Sequence, residues 1–496
     1  MRAASLTLFA VIGLGISGFL KQLDVPPASD APVPTAKPYG LGKPPFAQLS
    51  SSSCAASSCH GGGAVGKKGS EHSTWAPEVF PEGAYDPHAN AHRVLFNADS
   101  VRIGKYLKIG APHKEALCLK CHAVEEVKPT DAISEAVGCG ACHGPAEKWL
   151  GAHVAPGWTS LSNQDKWEKY GFVPAGNLVA RSLNCAGCHV GDADKEVNHD
   201  LIAAGHPRLN FEYTRFHFSP KYRKHWEEKT PQPDFEVRAW ITGQAATLRA
   251  ATDLLRIRAE RAAIDDTKTP WPEFSGLSCY ACHQQIGLEG PQRGTADKNP
   301  KRPAGVAGWE VWSNTASDTA AKFCPDAFPD VNSPQLPHLN VLRKLMEKRN
   351  PNPKTIAEAA SKAVAELDAW LAGMQVSEDR NRPARVSPYA TERIAHALAA
   401  NALSKDRTKL ADHDWDALSA NYLGSAAMYH AAGGRGNVPG WTTPIHGLTA
   451  DLKFPIPKAG GEGFNSPAGF GRKERDRVRD RFRELFDATG GLREKP

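Results

Sequence analysis

The sequence predicts a mainly α-helical protein in which a loop-rich first part is followed by a helical C-terminal region. Three observations carry that expectation. Ten of the eleven cysteines fall in five pairs between residues 50 and 290, each pair closed by a histidine and separated from the next by Gly/Pro-rich loops. From Val237 to about Ile264 apolar residues recur at helical spacing, and beyond residue 336 the composition shifts to alanine-rich helical patterns. A chain of 496 residues suits two or three domains, and 41% hydrophobic with 23% charged residues excludes collagen-like, wholly disordered and polytopic membrane classes. The net charge of +6 is a weak excess of 60 basic over 54 acidic residues and gives no argument for nucleic acid as a partner.

At the N-terminus, Met1 and Arg2 precede an apolar stretch from Leu6 to Leu20 that ends at Lys21. A positive start followed by an apolar run reads as a secretory signal or a short membrane anchor over residues 1–22, so the rest of the chain is expected outside the cytoplasm. Residues 23–49 are proline-rich and read as an extended, semi-rigid tether.

The paired cysteines follow, from about residue 50 to 290. They are Cys54 and Cys59 before His60, Cys118 and Cys121 before His122, Cys139 and Cys142 before His143, Cys185 and Cys188 before His189, and Cys279 and Cys282 before His283. The last four read CLKCH, CGACH, CAGCH and CYACH, the attachment signal for c-type haem. Two thiols one helical turn apart add to the two vinyl groups as thioethers, and the next residue gives an imidazole to the iron. Zinc would use the thiols but leave the histidine after every pair unexplained, and a redox dithiol would not be repeated four times. The first motif, CAASSCH, has a wider spacer that still permits two thioethers, with a surface disulfide in a Ser/Gly loop as the alternative. Five covalently attached haem c groups are therefore expected, in a domain whose core they fill in place of side chains.

Each motif supplies one axial ligand, and an electron-transfer haem needs a second. Nine histidines outside the motifs lie between residues 61 and 278: His72, His88, His92, His113, His153, His199, His206, His217 and His225. In DPHANAH, Asp86 and Pro87 read as a helix start, which would place His88 and His92 on one face. In NHDLIAAGHPRL, His199 and His206 are seven apart, two turns on one helical face, before Gly205 and Pro207 break the helix, and could reach two neighbouring haems. His153 and His225 are further candidates.

The long helical pattern that follows has Asp234 as its cap and Val237, Ile241, Leu248 and Leu255 on one face. Its arginines, Arg238, Arg249, Arg256, Arg258 and Arg261, read as solvated charge or as partners of haem propionates. Residues 286 to 336 are rich in Gly, Pro and Asn and read as a linker, assigned to 291–335, with Cys324 as a buried or free thiol. From 336 to 496 three helical faces stand out: Ile356, Ala360, Ala363, Leu367 and Leu371, then Ile394, Ala397 and Leu398, then Val478, Phe482 and Leu485. This region carries no further haem motif and reads as a packing or docking unit.

CHGPAEKWL from Cys142 to Leu150, VNHDLIAAGHPRL from Val197 to Leu209, DPH at Asp86 to His88 and the CAASSCHGG opening together resemble the multihaem cytochrome c family typified by cytochrome c-554. The resemblance covers roughly residues 50 to 290. It implies closely stacked haems, largely bis-histidine ligated, in a mainly α-helical periplasmic electron carrier. It also implies His88, His153, His199 and His206 as distal ligands, with His225 or His113 for the fifth. The type member has four haems, whereas this chain has five motifs, a wider first one, and about 200 further residues that the resemblance does not cover.

The chain has four methionines, none of them in the haem region, so histidine–methionine ligation is not expected and the potentials should be low. Ten propionates would turn the formal +6 into about −4. The expected function is periplasmic electron transfer between respiratory partners, redox proteins or a membrane quinol-linked complex, with membrane contact through the N-terminus. The alternative is a haem enzyme with one open iron site acting on a small nitrogen or sulfur compound. No CxxCK motif of the pentahaem nitrite reductase type is present.

Overall fold

Four of the five motifs end a helix on their histidine: Ala116–His122, Cys139–His143, Leu178–His189 and Cys279–His283. Helical spacing puts the two cysteines of a CxxCH on one side of the helix, with the histidine one turn beyond the first of them, so thiols and imidazole project together. The first motif instead follows a short 3-10 turn, Ser51–Cys54, and its wider spacer is folded into turns. These features belong to a computed structural model, which describes residues 37–42, 44–62, 67–76, 86–123, 136–219, 222, 225, 228, 235–265, 267–283, 306–380, 386, 388–404, 414–433, 440–454, 467 and 470–490. The expected signal or anchor over 1–22 and residues 23–36 of the tether lie outside that set. The fold is mainly α, and among the described residues it contains no strand, only an isolated bridge between Leu277 and Trp309.

The long helix runs Phe235–Ile264, and Val237, Ile241, Leu248 and Leu255 are buried as expected. Burial extends around the helix to Trp240, Ala245, Ala246 and Ala259, because it packs against Leu178–His189, Ser317–Ala327, Pro353–Asp379 and Trp415–Ala431. Small residues allow that crowding. A β-carbon on Gly424 would stand 2.8 Å from Leu398 Cδ1 and 3.0 Å from Trp240 Nε1. The helix also carries ion pairs between segments. Arg249 Nε donates to Asp368 at 2.8 Å, Arg258 Nε to Glu196 at 3.0 Å and Arg261 to Glu196 at 3.1 Å, while Arg238 pairs with Glu378 and Arg256 with Asp253 and Glu260. All five arginines thus face carboxylates.

Residues Val33–Pro496 form one compact unit. One apolar core joins Val179 and Leu183 of a motif helix to Leu248, Leu367, Ile394 and Phe482. The three C-terminal faces are buried in it, with Ala397 at its margin. The segment expected as a linker contains two helices, Val311–Thr315 and Ser317–Ala327, with Trp312, Phe323 and Cys324 buried. Its polar residues hid them, because Ser317 and Thr319 are buried with partners, Ser317 Oγ donating to the Asn314 carbonyl and Asn401 Nδ2 to Thr319 Oγ1. Cys324 receives the indole N–H of Trp370 at 3.2 Å.

The helix expected to carry both His199 and His206 stops early, at Ala203. Gly205 adopts φ +116°, a left-handed conformation open to glycine, and Pro207 follows. His206 therefore leaves the helix on a turn and can be aimed independently of His199. At DPHANAH, Asp86 caps a 3-10 helix, Pro87–Asn90, by accepting the His88 backbone N–H at 3.0 Å.

Candidate haem sites

Each of the five motif histidines has a second imidazole across from it. His60 faces His153 with ring centroids 6.3 Å apart, His122 faces His206 at 6.4 Å, His143 faces His225 at 6.2 Å, His189 faces His88 at 6.1 Å, and His283 faces His199 at 6.4 Å. Two imidazoles that hold one metal between them, each with a bond of about 2.0 Å and about 1.15 Å from bonded nitrogen to ring centre, have centroids about 6.3 Å apart. Direct ring stacking would bring them closer, as His113 shows against Phe96 at 4.1 Å. The place across from His143 is taken by His225, while His92 stands edge-on to Phe96.

Hydrogen bonds fix the ring that faces inward. His60 Nδ1 donates to Glu71 at 2.9 Å, His88 Nδ1 to Asp86 at 2.8 Å, His122 Nδ1 to the Ala91 carbonyl at 2.8 Å, His153 Nδ1 to the Leu150 carbonyl at 2.6 Å and His206 Nδ1 to the Pro207 carbonyl at 2.7 Å. With the proton on Nδ1, the lone pair is on Nε2, which is the form a metal takes. Burial favours the neutral ring, pushing His143 down to about 4 and His189 down to about 3, and lowering His122, His206 and His225. For His88 burial acts downward but is outweighed by the hydrogen bond and charge of Asp86, so its value is raised.

A bare ion would need more than two ligands. Among the described residues no group of three or more His, Cys, Asp or Glu side chains is placed to hold a metal ion. Facing pairs alone fit a metal that brings its own four equatorial ligands, and a macrocycle with two thioether arms is such a group. None of the eleven cysteines is in a disulfide; Cys324 is buried, and the ten motif cysteines are partly buried or exposed beside the paired imidazoles. Residues and group therefore fit.

The pairs form a sequence in space that differs from their order in the chain. His143 lies close enough to His225 and His60 for their charges to disfavour its own, and His189 stands in the same relation to His88 and His122. The thiols agree: the charge of Cys185 is felt at Cys142, and Cys121 and Cys188 share a hydrogen bond. His206 and His199, partners of His122 and His283, share one short segment. These contacts put the sites of His60, His143, His189 and His122 in succession, and the His199–His206 segment joins the His283 site to that of His122.

Several contributing residues carried no sequence signal. Glu71 and the carbonyls of Ala91, Leu150 and Pro207 orient rings only because the chain brings them there. Arg208, Asp414 and Asp416 gather beside Cys279, although Asp414 and Asp416 lie in the C-terminal region.

Residues 81–144, about one eighth of the chain, match the family model described as "Cytochrome c554 and c-prime". The match supports a c-type cytochrome with covalently bound haem and an electron-carrying role. No curated protein and no solved structure matches the chain.

Proposed function

We propose that this chain is an exported, five-haem c-type cytochrome that relays single electrons between redox partner proteins. The observation that carries this reading is the set of five imidazole pairs, each at the separation two axial ligands require. Bound haem would supply a one-electron ferric/ferrous couple, at low potential under bis-histidine ligation. The chain's own residues do the rest. The motif cysteines would hold the macrocycles, Asp86, Glu71 and the ring-facing carbonyls orient the ligands, and the second histidines close the sixth positions.

Filled positions favour a carrier over an enzyme, because substrate chemistry at iron needs an open one. The apolar N-terminal stretch supports export and a site of action at the outer face of the cytoplasmic membrane, where a quinol-linked complex is a fitting donor. The Pro-rich residues after it would act as the tether.

A pyridine haemochrome assay on protein matured outside the cytoplasm tests the reading. Five haems per chain are expected. Four would remove the CAASSCH site, and carbon monoxide binding to the reduced protein as isolated would replace the carrier by an enzyme.

A further inference from the structure

The C-terminal region places a partly buried carboxylate on the haem motif Cys279–His283. Asp414 accepts the hydroxyl proton of Ser278, and Ser278 Oγ in turn accepts the backbone N–H of Ala281 at 3.2 Å. Ser278 thereby caps the helix Cys279–His283 and connects its first turn to Asp414 through two hydrogen bonds. The charge of Asp414 is felt at Cys279.

Asp414 has competition for positive charge. Its other oxygen accepts the Asp416 backbone N–H at 2.8 Å, while the guanidinium of Arg208 is taken by the buried carboxylate of Asp416 and also donates to the Leu277 carbonyl at 3.4 Å. Glu310 lies within the influence of Arg208, Arg258 and Asp416, and Arg258 is bonded to Glu196. Among the described residues, the groups facing Asp414 are two neutral donors and the Arg208–Asp416 ion pair. The two donors and Arg208 favour the carboxylate, but burial, with the Asp416 charge, outweighs them and pushes Asp414 up to about 7.

We propose that Asp414 is the proton-binding group linked to the electron held at the Cys279–His283 site. When a one-electron donor, either the neighbouring site or a chemical mediator, reduces that iron from ferric to ferrous, one positive charge is lost nearby. The Asp414 carboxylate then takes one proton from water, forming a single O–H bond, and releases it when the electron leaves. Asp414 acts through Ser278 and through space, so it is a positioning and charge-compensating residue. The inference rests on the reading that this motif binds haem.

The test is a potentiometric titration of the full-length holoprotein between pH 5.5 and 8.5, on samples whose haem content has been measured. One couple is expected to follow a tenfold change in proton activity per pH unit, about 59 mV for one electron, over the pH range between the oxidised- and reduced-state values of Asp414. In D414N that couple should become independent of pH. A couple that keeps its slope in D414N, or a wild type with no pH-dependent couple, overturns the proposal. If D414N does not mature, S278A serves: loss of the donor should move the start of the slope to higher pH, and an unmoved slope is contrary. A sample lacking the haem at Cys279 and Cys282 contradicts the proposed function instead, so the two failures are distinguishable.

Discussion

His206 stands edge-on across from His122, with the ring centroids 6.4 Å apart and the planes at 89°. His199, on the same segment, faces a different motif histidine, lying near-parallel to His283. Removing either should therefore open a different site. H206A and H199A are each expected to convert one low-spin haem to high spin, and the double variant two. Absorption and carbon monoxide titration read the number. A double variant that opens only one site would show that the two histidines share a haem.

Asp86 holds His88 through both the backbone and the ring nitrogen. Loss of such an outer partner commonly weakens a ligand about 10- to 100-fold. D86A should let added imidazole or carbon monoxide compete at the His189 site, where the parent protein resists both. The lost cap also costs about 1 kcal/mol of stability. Unchanged ligand competition would reduce Asp86 to a structural cap.

The long helix Phe235–Ile264 belongs to one core with both the motif helix Leu178–His189 and the C-terminal helices. L248A should cost about 2–5 kcal/mol, and unfolding followed by haem absorbance and by far-ultraviolet circular dichroism should shift together. Two separated transitions would mean that the haem region and the C-terminal region fold independently.

Asp414 also makes stability depend on pH. Its carboxyl is raised from about 3.9 in an unfolded chain to about 7, first by burial and then by Asp416. Its protonated form thus contributes stability that is fully present below the unfolded value and lost as pH rises through the folded one. The melting temperature of the parent relative to D414N should fall between about pH 4 and about pH 7. A difference that does not change over that window contradicts the raised value.

Much of the site was legible in the sequence, because covalent attachment fixes the spacing of Cys, Cys and His within a few residues. The histidine partners were legible as candidates, and His88, His153, His199, His206 and His225 each stand across from a motif histidine. The assignment of partners was not, since His60 meets His153 and His88 meets His189 only through tertiary packing. The break at Gly205 separates two histidines that helical spacing alone would put on one face. The helices at 311–327 have no clean apolar periodicity to mark them, because their polar residues are satisfied inside the core rather than exposed. The link from Asp414 to Ser278 spans 136 positions and has no local signature.

Electron paramagnetic resonance of the fully oxidised holoprotein tests the central claim most directly, because each pair differs in how its rings are turned. His60/His153 and His199/His283 are near-parallel, at 18° and 25°, whereas His143/His225, His122/His206 and His88/His189 cross at 65°, 89° and 87°. Parallel rings split the iron orbitals that interact with imidazole, and crossed rings leave them nearly degenerate. A solely low-spin spectrum is expected, with two rhombic signals and three of high anisotropy. A high-spin ferric signal from the intact protein would mean an open position and a catalytic haem, contrary to an electron carrier with every axial place filled.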